Sequence, residues 1–325
     1  MKSNLYANGV ASALSNSLIT KETYARMIEA KNYNEALDVL SETSFGSGVE
    51  NENITSREDI LNFETKKLIN FVKTESPLKE FEEYFLLTFD YANISSFCKC
   101  QSLGVDFLPY VEAEGIYTTA QIKEYILSKQ YNNFNNPFIK QALVQFDKIE
   151  SLFSDGWEVD FIFKKYMYKN LLKLCSKYNI LKELITNKID AENLSVAMRA
   201  TTHFQFEGQL LDGGNLNKQT LQKVFNKQKD AVNDIKNDTI KQLAKLCLTK
   251  ESSSYSKFEV IKNTLELRLF SEKQFEIETI APFAMYVFKS LTQIKNVRLI
   301  LSYQFNNLKD NIASKFLEVK SWKIT

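Results

Sequence analysis

Ile189-Asp190-Ala191-Glu192-Asn193-Leu194-Ser195-Val196-Ala197-Met198-Arg199, continuing to Phe206, is the stretch on which the reading of this chain turns. An asparagine follows the aspartate by three residues and an arginine follows it by nine: Asp190, Asn193, Arg199. The same offsets occur upstream as Asp90, Asn93 and Lys99, and downstream Asn296-Val297-Arg298 sets another basic residue in a helical, apolar context. Lys99, Arg199 and Arg298 are 100 and 99 residues apart, which predicts three units of one design. Read locally, each aspartate is placed for an N-cap or first turn, with Ile94 and Phe97, or Leu194, Ala197 and Met198, at helical spacing behind it. A period near 100 exceeds the roughly 20 to 50 residues of solenoid repeats, so each unit is expected to be a small domain.

Composition points to an all-α fold. Nine glycines and four prolines in 325 residues leave few of the turn residues that a sheet-rich chain of this length needs. With 44% apolar and 25% charged residues the chain is an ordinary globular sequence. Forty-one basic against 40 acidic residues give a net charge of +1, so no global field draws in nucleic acid. Cys98, Cys100, Cys175 and Cys247 form neither a disulfide framework nor a zinc spacing, which fits a reducing compartment. No apolar run approaches the length of a signal peptide or of a membrane-spanning helix, so any membrane association is expected to be peripheral.

Along the chain, Thr20 reads as an N-cap, Ser56 with Asp59 and Thr118 with Gln121 read as capping pairs, and Ser271 with Gln274 reads as a fourth. Helices are expected over Tyr33 to Leu40, from Ile139 to Phe153 with a stop at Asp155-Gly156, and over Phe161 to Tyr178, with a break at Pro77. Most of the 24 Phe and 15 Tyr are expected in the core; Tyr131 to Asn136 is the exception, because its aromatics sit among residues that disfavour helix. Glu207 to Asn217, with Gly208, Gly213 and Gly214, is the clearest boundary, giving expected domains at 1–105, 106–207 and 208–325. Asn307 to Val319 resembles the piece after each earlier anchor, as though the chain restarted a fourth unit to close a ring.

Catalytic machinery is hard to find. His203 is the only histidine, Cys98-x-Cys100 lacks a partner pair, and Asp212-Gly213-Gly214 has no phosphate-loop consensus. No cofactor, metal or small-molecule substrate is therefore expected. The repeated set Asp90, Asn93, Lys99, Asp190, Asn193, Arg199, Asn296 and Arg298 is read as structural, capping helices and making polar links inside each unit. The rival is a surface that holds a partner. A free-standing helical scaffold or regulatory adapter, and an enzyme using scattered carboxylates, are the readings from other classes.

Order and spacing along the whole length resemble one family. Tyr6-Ala7-Asn8, Leu18-Ile19-Thr20-Lys21-Glu22-Thr23-Tyr24, Ala36-Leu37, Leu40, Thr43 and Phe45 follow its opening; Asp160, Tyr166, Leu171-Leu172 and Ile189 to Leu194 its middle; Pro282, Tyr286, Asn296-Val297-Arg298 and Ile300 its last part. The chain is similar to the C subunit of archaeal-type and bacterial V-type rotary ATPases, the family that includes the d subunit of the eukaryotic proton pump. It departs from that pattern at Gly9, Ala11 and Ser12, where basic residues are usual, and at Gln293, where a glutamate is usual. The resemblance implies a funnel of three related helical domains around a pseudo-threefold axis, without catalytic activity. It implies partners in the central shaft subunits and the membrane rotor ring, on the cytoplasmic side of the membrane. From the geometry of a glycine-rich loop joining two such domains, Asp212, Gly213, Gly214 and Asn215 are the expected shaft contact.

Overall fold

The computed structural model describes residues 2–47, 56–111, 113–149, 157–249, 253–308, 312 and 315–317. Among them the regular structure is helical, and no strand occurs. After an opening helix α1 (Asn4–Ser15), one order of helices recurs three times. The first round is α2 (Lys21–Glu29), α3 (Tyr33–Ser41), α4 (Arg57–Glu75) and α5 (Lys79–Leu103). The second is α6 (Thr119–Leu127), α7 (Pro137–Phe146), α8 (Trp157–Leu174) and α9 (Asn179–Arg199). A short α10 (His203–Gly208) precedes the third, which is α11 (Lys218–Phe225), α12 (Asp238–Leu248), the broken pair α13 (Ser254–Asn263) and α14 (Leu265–Ser271), and α15 (Ala281–Phe305).

Cap chemistry repeats with the helices. Thr20, Thr118 and Asn217 accept the N–H three residues on at the starts of α2, α6 and α11, and Thr118 with Gln121 completes a capping box. Each second short helix opens on an asparagine: Asn32, Asn136 and Asn237. Each round then ends on a long helix that is buried on every side. Tyr84, Phe85, Leu86 and Leu87 are consecutive buried residues of α5, and Phe283, Ala284 and Met285 of α15, a pattern that belongs to central helices rather than surface ones.

By proximity the chain gathers into two compact units, one of Met1–Leu78 with Lys227–Thr325 and one of Lys79–Asn226. In the second unit α8 packs against α5, α7 and α9, with Phe163 fully enclosed. In the first, α15 packs against α1, α2, α3, α4 and α14, so the last long helix of the sequence is sheathed by the first helices.

Four local expectations change. The helix expected through Phe153 ends at Phe146, where Asp147 donates its N–H to Leu143, and Phe153 to Gly156 lie outside the described residues. Ser271 closes α14 instead of opening a helix; Gln274 Nε2 returns to the Ser271 carbonyl at 3.0 Å, a C-terminal contact. Tyr131 and Phe134 are core residues: Phe134 is 3% exposed between the rings of Tyr117 and Tyr125, and Tyr131 donates to Asp147 at 2.9 Å. The aspartates of the repeat, expected at helix starts, sit in mid-helix.

Candidate functional site

That displacement of the aspartates defines the site. The apolar run Phe81 to Phe89 begins the helix well before Asp90, so the carboxylate, 0% exposed in the middle of α5, cannot cap its own helix and instead receives donors from another segment. Ile116 donates its N–H to both oxygens at 3.1 Å, and Tyr117 donates to Oδ1 at 3.1 Å. One turn later Asn93 donates to the Ala113 carbonyl at 2.6 Å. These backbone groups lie just ahead of Thr118, so α5 grips the entry to α6.

The second round repeats the junction. Asp190, in mid α9, accepts from Asn215 at 3.0 Å and Leu216 at 2.9 Å, just ahead of the Asn217 cap of α11. Asn193 makes both amide bonds to Leu211, donating to its carbonyl at 2.9 Å and accepting its N–H at 2.8 Å. In the third round Asn296 exchanges the same two bonds with Leu317, at 3.1 and 3.0 Å. Gln293, three residues before it, accepts the N–H of Ile19 at 2.7 Å, one residue ahead of the Thr20 cap of α2. The C-terminal segment thus fills the position of Ala113 and Leu211, and the N-terminal segment that of Tyr117 and Leu216. Leu317 belongs to the stretch read as a restarted fourth unit.

Two glycines make the aspartate junctions fit. A Cβ on Gly115 would lie 2.5 Å from Asp90 Oδ1, and one on Gly214 would overlap Asp190 Oδ1 and sit 3.1 Å from its Cγ. Both precede the donated N–H groups by one residue and let the backbone press on the carboxylate. Gly213 adds the left-handed turn, with φ +98°. The third junction has Ser17 in this register and reaches its donor with the longer glutamine side chain. Burial pushes the Asp190 carboxyl up to about 6, only partly offset by the N–H groups of Leu216 and Asn215.

The basic residues of the repeat have lesser roles. Lys99 pairs with Asp160 of α8 at 2.6 Å, with side chains 35% and 52% exposed, a geometry worth under about 1 kcal/mol. Arg199 is exposed and turns back to its own helix at the Ser195 carbonyl, while Arg298 lies 3.7 Å from Glu58 and does not share the register of the other two. In the loop, Asp212 and Gly213 are exposed, whereas the exposed Asn215 is tied through its amide to Thr186 Oγ1 at 3.1 Å.

Two amides with a large share in the architecture were not picked out by spacing. Asn8 of α1 donates to the Ile277 and Thr279 carbonyls at 2.7 and 2.9 Å and accepts the N–H of Phe283 at 3.0 Å, sharing the start of α15 with Thr279 Oγ1, which accepts the N–H of Ala281. Gln304 donates to Met27, Ile28 and Ala30 at 3.0 to 3.3 Å, closing the C-terminal carbonyls of α2. Their signal in sequence was a polar residue within an apolar helical face, Asn8 between Ala7 and Ala11 and Gln304 after Ile300 and Leu301.

Elsewhere little chemistry is assembled. His203 sets its ring edge against Phe225 at 4.9 Å. All four cysteines are buried thiols, and burial raises the pKa of Cys98, Cys175 and Cys247, which suppresses the reactive thiolate. Among the described residues no group of three or more His, Cys, Asp or Glu side chains is placed to hold a metal, and no helix is long and apolar enough to cross a membrane. Against known families, the model described as ATP synthase (C/AC39) subunit matches residues 7–315, spanning all three junctions except the last bond partner, Leu317. The chain belongs to this family. A comparison with curated proteins gives no match. As a member of the C/AC39 family, the chain belongs to the subunit set of V/A-type ATP synthases, and the junctions are its internal framework.

Proposed function

We propose that the chain is the non-catalytic central-stalk socket of a V-type rotary ATPase, a peripheral subunit on the cytoplasmic face that couples the central shaft to the membrane rotor ring during proton or sodium transport. The three rounds of helices form three domains, divided near residues 105 and 207, around a pseudo-threefold axis in a funnel. The observation that carries this reading is the threefold junction. Torque passing between a thin shaft and a wide ring demands that neighbouring units turn together, and a buried side chain gripping the backbone at each link is a stiff way to join them. Family membership supports the choice of machine.

Contacts follow from what remains exposed. Bulky apolar side chains recur at or just past the C-terminal end of the long helix that closes each round: Leu103 and Leu108, Phe204, and Phe305 and Leu308, each more than half exposed. They offer three chemically similar contacts to a ring of repeated subunits. Asp212, Gly213, Gly214 and Asn215 form the polar shaft contact, with Asp212 carrying the charge. Binding of the purified shaft should weaken as salt rises from 0.1 M to 1 M, because the Debye length falls from about 10 Å to about 3 Å. Asp212→Lys should alter affinity without altering stability, since the exposed Asp212 side chain is not among the groups that hold the junction. An affinity that rises with salt would point instead to an apolar socket.

A further inference from the structure

The three junctions are alike in position but not in chemistry. Two are covalently continuous and carboxylate-based: Asp90 and Asp190 each take two successive backbone N–H groups 25 to 27 residues further along the chain. The third joins residues 274 apart, with no covalent link at hand, through one N–H to a neutral carboxamide, Ile19 to Gln293. Hydrogen bonds to an ionised acceptor are roughly twice as strong as neutral ones, so substitution of the carboxylate by an amide weakens the link that also lacks chain continuity. The remaining side-chain stitches between the segment through Thr20 and α15 with the loop ahead of it are amides as well, those of Asn4 and Asn8. Open space borders this junction: Ser17, Leu18, Gln293 and Ile294 line a cavity of about 560 Å³. Ser17 also stands where Gly115 and Gly214 press against their aspartates, so the backbone here is not locked onto its acceptor in the same way.

We propose that this junction is a clasp: the segment through Thr20 lifts from α15 and reseats, while the aspartate junctions at Asp90 and Asp190 stay closed. The opening itself stands on the geometry above; its use, to admit and then hold the shaft, rests on the function proposed in the preceding section. Three equivalent amides report on it, those of Ile19, Tyr117 and Leu216. In residue-resolved hydrogen exchange of the full chain, the protection factor at Ile19 should be at least tenfold lower than at Tyr117 and Leu216. Gln293→Ala should lower it at least tenfold more and leave the other two within twofold. Saturation with purified shaft should raise protection at Ile19 selectively. Equal protection at the three amides overturns the clasp, and so does a Gln293→Ala variant in which all three lose protection together, because the junction then opens only with the whole fold. A chain that shows the Ile19 difference but binds no shaft keeps the clasp and defeats the functional reading. Shaft binding with no change at Ile19 removes the clasp from admission.

Discussion

Adding one methyl group at Gly214 should be among the most damaging small changes in the molecule. The new Cβ would overlap Asp190 Oδ1 and stand 3.1 Å from both Asp190 Cγ and Ile189 Cγ2, inside the roughly 3.5 to 4.0 Å at which carbon atoms attract. Neither neighbour can retreat easily, because Asp190 is 1% and Ile189 0% exposed within α9. Overpacking of this kind costs about 1 to 3 kcal/mol. If the loop moves away instead, the N–H bonds of Asn215 and Leu216 stretch, and bonds to a charged group contribute about 1.5 to 3 kcal/mol each. The two routes compete, so the cheaper one, overpacking, sets the cost at about 1 to 3 kcal/mol. For a unit of this size that lowers Tm by roughly 2 to 12 °C. Gly208→Ala is the matched control, because nothing lies within 4 Å of its Cβ position; it should be neutral or stabilising by up to about 1 kcal/mol. Urea and thermal melts of both variants decide the matter. A Gly214→Ala protein within about 0.5 kcal/mol of the parent would refute the close approach as the reason for glycine here, and one that melts normally yet loses the shaft would assign the loop to the partner surface alone.

Asp190 should also leave a pH signature. Its folded pKa, about 6, lies above the ordinary 3.8, so the folded state holds the proton more tightly; relative stability is greatest below about 4, declines as pH rises to about 6, and stays lower beyond. At about 1.36 kcal/mol per pKa unit the difference is about 3 kcal/mol, and the stability of the parent relative to Asp190→Asn should be greater at pH 4.5 than at pH 7 in urea titrations; a pH-independent difference contradicts the assignment. Asn8→Ala removes a buried amide that serves two carbonyls and one N–H, and should cost about 2 to 3 kcal/mol, whereas a midpoint equal to the parent's would mean that water replaces the amide at the start of α15. Limited proteolysis should cut first near residues 105 and 207, and early cuts confined to α8 would count against three domains.

The helical class and the threefold recurrence were legible because both are carried by local signals. Low glycine and proline content, the caps at Thr20, Ser56 and Thr118, and the pattern of Asp90/Asn93 and Asp190/Asn193 can all be read within a few residues. What the aspartates do was not legible. An aspartate ahead of apolar residues reads as a cap on its own helix, and only the tertiary fold brings the N–H groups of Ile116 and Leu216 to the middle of α5 and α9. The third junction was hidden further, since Gln293 lacks the charge and its partner Ile19 stands 274 residues away. Register also misled at Arg298: the interval of 99 residues matched Arg199, yet the true equivalence runs through Asn193 and Asn296. Tyr131 and Phe134 were misplaced because asparagines surround them, although those asparagines cap and turn the chain while the rings turn inward.

Co-purification tests the account most directly. The tagged full-length chain, recovered from detergent-solubilised membranes at low salt, should bring with it both the shaft subunits and the rotor ring of the ATPase, and should release the shaft as salt is raised. Recovery of the chain alone, or with soluble partners and neither of these, would contradict a socket between shaft and ring.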